Sequence, residues 1–258
     1  IYRANEGQMT PEEKFIFDLE GYLVLKGILS SNEVDEVNAL ADSVWPGNYP
    51  ENGLRRTGQV SKWGPATQCL MDHPGIVPYL KELLGPFVRI DHDYSIFMRR
   101  NGRAGRLHGG PTMQSGVQAA DHWYRYHDGV MRNGLTVFTF CLTHAGANDG
   151  GFGCIPGSHK SNFIGHIPDT VRNWEKKAHY VRQVEVDAGD VIIFTEALVH
   201  GTIPWQADHE RRSLLYKYSP GHSSWSENYY EKKDYPNATE QQQRLMAPPS
   251  IGGRTETF

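Results

Sequence analysis

An α+β fold, with helices leading and an antiparallel β core following, is what this sequence predicts. Three observations predict it. Two helix-capping boxes fall within the first 45 residues, β-branched and aromatic runs dominate after Pro86, and the composition combines 27 glycines with an 11% aromatic share. Helix-period and strand-period patterns are thus segregated along the chain, which favours α+β over an alternating α/β order.

Thr10-Pro11-Glu12-Glu13 opens the first helix, with proline where its missing N–H costs nothing. Gly21 ends it, and Tyr22-Leu23-Val24-Leu25 is a compact strand. Ser30 with Glu33 starts a second helix that runs to about Val44. Ile76 to Leu84 is a further helix with Pro78 in its first turn, closed by Gly85. Strands are expected over Val88–Arg100, Leu135–Leu142, Val181–Val186, Val191–Thr195 and Ser213–Tyr218. Asp128-Gly129, flanked by Tyr124-Arg125-Tyr126-His127 and Val130-Met131-Arg132, has the form of a tight hairpin. No internal repeat or low-complexity linker divides the chain. The expectation is one domain over residues 1–258, a barrel or sandwich, with a polar tail from about Ser223 that wraps or dangles.

The 258 residues are 38% hydrophobic and carry a formal net charge of -4. That is enough apolar content for a real core, which excludes wholesale disorder. No apolar run approaches the roughly 18 residues of a membrane-spanning helix. The slightly acidic balance argues against a nucleic-acid binder that works by bulk electrostatics. Three scattered cysteines, Cys69, Cys141 and Cys154, suit free thiols rather than a disulfide framework or zinc cluster. With no basic-then-apolar leader, the expected compartment is the cytoplasm and the expected partner is a small molecule.

Several catalytic motifs are absent: G-x-x-x-x-G-K-[ST], G-x-S-x-G, H-E-x-x-H and C-x-x-C. What remains is a set of separated histidines at strand ends. His108 follows the long strand in Arg106-Leu107-His108-Gly109-Gly110. His200 follows the strand opened by Gly189-Asp190-Val191, and Arg211 lies eleven residues beyond it. Two imidazoles from different strands can hold a divalent metal and leave coordination positions open. An arginine entering an apolar strand suits a carboxylate, which its planar fork binds bidentately.

The stretch Asp149-Gly150-Gly151-Phe152-Gly153-Cys154-Ile155-Pro156-Gly157-Ser158-His159-Lys160 resembles the G-G-x-x-x-x-P-G-S-H-K signature of the phytanoyl-CoA dioxygenase family. The order around it is similar too: a first histidine, this signature, a Gly-Asp-Val strand, then His-Gly and an arginine. The resemblance spans roughly Phe15 to Ser219. It implies a double-stranded β-helix (jelly-roll) with flanking helices mainly from the N-terminal third. It also implies an oxygenase that uses Fe(II), 2-oxoglutarate and O2 and releases succinate and CO2. His108 and His200 match the iron-binding histidines. Arg211 matches the arginine on the distal carboxylate of 2-oxoglutarate, and Thr202 falls where a small hydroxyl assists it. His159, inside the signature, matches no metal ligand and is expected to anchor its loop.

One position departs from the family pattern. The first ligand motif there is H-x-D or H-x-E, and here the third residue is Gly110. None of the twelve histidines is followed two residues later by Asp or Glu. Three outcomes stay open: a carboxylate from elsewhere (Asp121, Asp128 or Glu196), a water, or a halide, as in related halogenases with H-x-G or H-x-A. Asp128 is better explained as a turn residue and Asp121 as a cap or surface charge. Glu196, four before His200, would share its face on a continuous strand but lie two pleats away. The resemblance implies hydroxylation, the commoner outcome in the family, with chloride-dependent halogenation as the rival that Gly110 suggests. The non-enzymatic alternatives are a jelly-roll that only binds a ligand, or a cupin-like site for another metal.

Other residues carry weaker expectations. His92 alternates along a strand as a pocket or core residue, and the remaining histidines, His122 among them, are expected in loops or at the surface. Arg99, Arg100, Arg103 and Arg106 form either a solvated basic loop or a clamp for an anionic substrate. The long segment Pro111–Met131 carries Trp123, Tyr124 and Tyr126 and is expected to wall the substrate site. Asn237-Ala238-Thr239 is a glycosylation sequon expected to be accidental.

Overall fold

The computed structural model describes residues 2–3, 8–45, 47, 49–112 and 120–258. Helix α1 (Pro11–Glu20) and helix α2 (Ser31–Val44) both begin with the reciprocal capping box expected of Thr10/Glu13 and Ser30/Glu33. Strand β1 (Tyr22–Lys26) lies between them, and Gly21 closes α1 in the left-handed conformation that glycine adopts without strain. Helix α3 (Val77–Leu84) carries Pro78 in its first turn. The core strands follow: β2 (Val88–Met98), β3 (Gly105–His108), β4 (Thr136–Cys141), β5 (Gly151–Cys154), β6 (Val191–Thr195), β7 (His200–Ile203) and β8 (Arg211–Pro220).

Two sheets form the core. The larger runs Tyr2–Arg3, β1, β6, β4, β8, β2, Leu54–Arg55; the smaller runs Arg182–Gln183, β5, β7, β3. Every pairing among β1 to β8 is antiparallel. The period of two explains the layering. Val137, Cys141, Ile192 and Phe194 point between the sheets, where they meet Phe152, Cys154, Met98 and Leu198. Their neighbours Phe138, Phe140 and Ile193 point the other way and pack under α1 to α3. The large sheet is buried on both faces, so its central strands read as continuous apolar runs rather than alternating ones.

Asp128 and Gly129 both have positive φ, as a two-residue hairpin turn requires, and join Tyr124–His127 to Val130–Asn133. The strand expected over Val181–Val186 shrinks to the edge pair Arg182–Gln183, with Val184 donating to the Phe152 carbonyl and Val186 exchanging a pair of backbone hydrogen bonds with Ala145. The polar tail wraps rather than dangles. Tyr230, Tyr235, Leu245 and Met246 enter the helix-side core, and the Thr257 hydroxyl donates to the Val88 carbonyl at 2.5 Å. Thr239, the third residue of the sequon, caps the helix Glu240–Leu245.

The P-G-S-H-K signature acts as a clamp. The Gly157 N–H donates to the Glu20 carbonyl, and His159 Nε2–H donates to the Asp18 carbonyl at 3.0 Å. The imidazole lies over Gly21, where a Cβ would sit 2.5 Å from its Nδ1. Ser158 Oγ accepts the Val199 N–H at 2.8 Å, immediately before His200. The clamp thus ties the end of α1 to the start of β7, which is the anchoring role expected of His159.

Burial holds His159 neutral, pushing its pKa from 6.5 down to about 4. The unfolded state therefore binds the extra proton between those values. The stability this supplies is complete above pH 6.5 and is lost as pH falls towards 4, by on the order of 3 kcal/mol at about 1.4 kcal/mol per unit. Chemical denaturation at stepped pH should show His159→Gln with a shallower acid loss than the parent protein.

Candidate metal and 2-oxoglutarate site

The strand ends bring His108 and His200 together. They are direct Cα partners across β3 and β7, with ring centroids 4.4 Å apart. His108 Nδ1 lies 2.8 Å from the Arg106 carbonyl, and His200 Nδ1 lies 2.8 Å from the Leu198 carbonyl. A carbonyl only accepts, so each Nδ1 carries its proton and each Nε2 keeps a lone pair. That is the tautomer a metal-binding histidine needs, set by its outer hydrogen bond. Burial pushes His200 down to about 3, which keeps the ring neutral.

A carboxylate does reach the two histidines, from Glu196. His108, Glu196 and His200 each offer a ligand atom within 4.8 Å of the others. Glu196 is not two pleats from His200 because the two residues are not on one strand. β6 stops at Thr195, Leu198 N–H donates back to the Thr195 carbonyl, and the turn folds Glu196 beside the next strand. Its Oε2 lies 3.9 Å from His200 Nε2 and 3.8 Å from His122 Nε2. Its Oε1 accepts from Lys217 Nζ at 2.5 Å. Burial alone would raise this carboxyl's pKa, but Lys217, His200 and His122 hold it well below the usual carboxylate range.

Gly110 faces elsewhere. It has φ +102°, and a Cβ there would fall 2.2 Å from Ile164 Cδ1 and 3.3 Å from Val199 Cγ2. The space released by the absent side chain is filled by the small apolar cluster of Leu107, Ile164, Val171 and Val199. Asp128 sits in its exposed hairpin turn, and Asp121 stands beside His122 outside the ligand group.

Arg211 opens β8, opposite Met98 of β2, and is only 6% exposed. Among the described residues it makes no ion pair, and its hydrogen-bond contact is the Met98 thioether at 3.9 Å. A buried guanidinium without an acid is costly, and burial depresses its pKa. Gly151 makes room for it: a Cβ there would lie 3.3 Å from Arg211 Nε. Thr202 and Met98 line one 580 Å³ cleft with Arg103.

The cleft that holds His108 and Glu196 is larger, about 860 Å³. Its aromatic wall is not the expected one. Tyr94, Trp225, Tyr229 and Tyr230 line it, whereas among the described residues Trp123, Tyr124 and Tyr126 do not. Tyr124 packs edge-on against His159 and hydrogen-bonds Asp18, which places it in the signature clamp. Residues 113–119 of that expected wall lie outside the described residues. His122, expected at the surface, borders the cleft with Glu196. The basic loop is largely engaged elsewhere: Arg99 stacks on Tyr49, Arg100 pairs with Asp208, and Arg106 pairs with Asp169.

A jelly-roll with two histidines and a carboxylate at its mouth, and one buried arginine beyond them, defines the class of metal- and oxoacid-dependent oxygenases. The profile of the phytanoyl-CoA dioxygenase (PhyH) family matches residues 17–213, and the chain belongs to that family. It is an Fe(II)- and 2-oxoglutarate-dependent oxygenase. Among solved structures, HygX from Streptomyces hygroscopicus with nickel and 2-oxoglutarate bound is 24% identical, with a TM-score of 0.73. That alignment covers 83% of this chain and 88% of HygX. SnoK, a non-heme alpha ketoglutarate dependent carbocyclase from nogalamycin biosynthesis, is 17% identical with a TM-score of 0.63, covering 93% and 92%. At these identities the likeness is one of fold. No curated protein sequence matches the chain. Among the described residues, no helix is long and apolar enough to cross a membrane.

Proposed function

We propose that this chain hydroxylates a small polar molecule at an iron centre held by His108, His200 and Glu196. The observation that carries the reading is Glu196 folding in beside the two histidines, since it supplies the anionic ligand that the H-x-G motif lacks. The residues fit the ion: two imidazoles whose Nδ1–H groups are held by carbonyls, leaving Nε2 to face a metal, and one carboxylate held ionised beside Lys217 suit Fe(II). When bound, iron and 2-oxoglutarate supply the oxidising chemistry, in which oxidative decarboxylation activates O2.

The protein's own part is binding and orientation. Lys217 secures one Glu196 oxygen and leaves the other towards the histidines. Arg211, buried and without an acid, pairs with the far carboxylate of 2-oxoglutarate, and the Thr202 hydroxyl assists from the adjoining cleft. The cleft lined by His108 and Glu196 would receive the substrate. HygX has also been solved with hygromycin B bound, which supports a small polar substrate for this fold.

Halogenation is the weaker reading, because Ile164 fills the space that a halide at Gly110 would take. Product mass spectrometry with and without chloride separates the two. Hydroxylation predicts the same added oxygen in both, and a chloride-dependent product would reverse the assignment. A protein that only binds ligands would consume no 2-oxoglutarate with iron and ascorbate.

Arg211→Ala should raise the 2-oxoglutarate requirement roughly 10- to 100-fold, as expected for losing charge-assisted hydrogen bonds of about 1.5–3 kcal/mol. Steady-state titration of 2-oxoglutarate tests it. An unchanged requirement would remove Arg211 from the site.

A further inference from the structure

The cleft contains a second constellation that the iron site does not use. Asp91 is fully buried and receives six hydrogen bonds: from Arg89, His92, Ser219 and Ser224, and from the N–H groups of Trp225 and Ser226. Burial would raise its pKa, but these donors bring it down to about 2, so the group is ionised. It therefore accepts the His92 Nδ1–H at 2.7 Å and fixes that tautomer. His92 Nε2 is left as a lone-pair acceptor on a ring that lines the cleft, and among the described residues it has no hydrogen-bond partner.

The same Asp91 determines what lies on that ring. By holding the backbone of Trp225 and Ser226, it stacks the Trp225 indole on His92, with centroids 4.9 Å apart. Tyr94 also stacks with His92, at 5.9 Å. Trp225 is nonetheless 59% exposed. His92 is also the cross-strand partner of Lys217, the residue that secures Glu196. An oriented acceptor and an available indole face thus line the same cleft as His108 and Glu196, across the strand pair from the lysine that secures Glu196.

We propose that His92 and Trp225 form the substrate-recognition platform, built for a saturated polyhydroxylated ring of the sugar or cyclitol class. A ring hydroxyl donates to His92 Nε2, and the C–H face of the ring lies on Trp225, which aromatic surfaces accept readily. Asp91 is a positioning residue that acts through both. The platform deepens the hydroxylase reading and rests on it, because it presents the ring to the same metal.

The test is ligand-observed NMR on the full chain, with methyl β-D-glucopyranoside and myo-inositol as probes. At least one probe should bind saturably. His92→Phe, which keeps the stack but removes the acceptor, should weaken it at least fivefold, and His92→Gln, which restores an acceptor oxygen, should recover part of the loss. Trp225→Ala should also weaken it, and since that side chain is exposed, the variant should fold even if those at His92 do not. Absence of saturable binding, or binding indifferent to both positions, would overturn the platform. Iron-dependent 2-oxoglutarate consumption by the unmodified protein is measured separately. Its absence would sink the oxygenase reading without touching the binding result.

Discussion

Replacing His200 with alanine is expected to abolish iron binding and, with it, all 2-oxoglutarate turnover. The ring is buried, its Nδ1 is committed to Leu198, and its Nε2 faces Glu196 at 3.9 Å. Removing it takes away one of only two imidazoles in the ligand group and leaves the other residues unable to enclose an ion. Metal analysis after anaerobic iron loading checks this, and full occupancy in His200→Ala would overturn the ligand assignment. Glu196→Gln should lower iron affinity while largely keeping the fold, because the amide loses the charge but keeps the volume and an oxygen that accepts from Lys217. Glu196→Ala should also destabilise the protein by about 3–5 kcal/mol, since Lys217 would be left buried without its partner. Comparing the two separates the metal role from the packing role.

The second large effect concerns Gly110. Restoring the family's acidic residue with Gly110→Asp is expected to disrupt the fold locally rather than rebuild a ligand. The residue would be forced into positive φ, at about 1–3 kcal/mol, and would press its Cβ into Ile164, at a further 1–3 kcal/mol. A carboxylate would also enter an apolar cluster. A thermal midpoint lower by roughly 4–24 °C is expected, at about 2–4 °C per kcal/mol for a chain of this size. Gly110→Ala should show most of the same loss, although alanine has no charge. A Gly110→Asp protein with unchanged stability and tighter iron binding would mean that this position faces the metal after all.

The elements most legible in the sequence were those governed by neighbouring residues. Thr10/Glu13 and Ser30/Glu33 place their helices because a cap is a contact over three residues. Val191–Thr195 appears as expected because a β-branched run between Gly189-Asp190 and a turn has few alternatives. The short helical turns between Val60 and Asp72 carry no such signal and were not anticipated. The aromatic rings that line the cleft, Tyr94, Trp225, Tyr229 and Tyr230, come from elsewhere than the segment singled out in the sequence, for a related reason. Tyr124 is recruited by Asp18 and His159, and Trp225 is drawn in by Asp91, all remote in sequence.

By itself, the sequence singled out the two histidines, the arginine and the signature loop, since each belongs to a motif whose spacing sets its place on or beside a strand. The carboxylate proposed as third ligand is placed only by tertiary structure. Whether Glu196 lies near His200 depends on where β6 ends and how tightly the next turn closes, and a period-two strand pattern places the same residue two pleats away. Likewise, a glycine in the ligand motif leaves a vacancy only if nothing else packs into it. Ile164, more than fifty residues further along the chain, is what fills it.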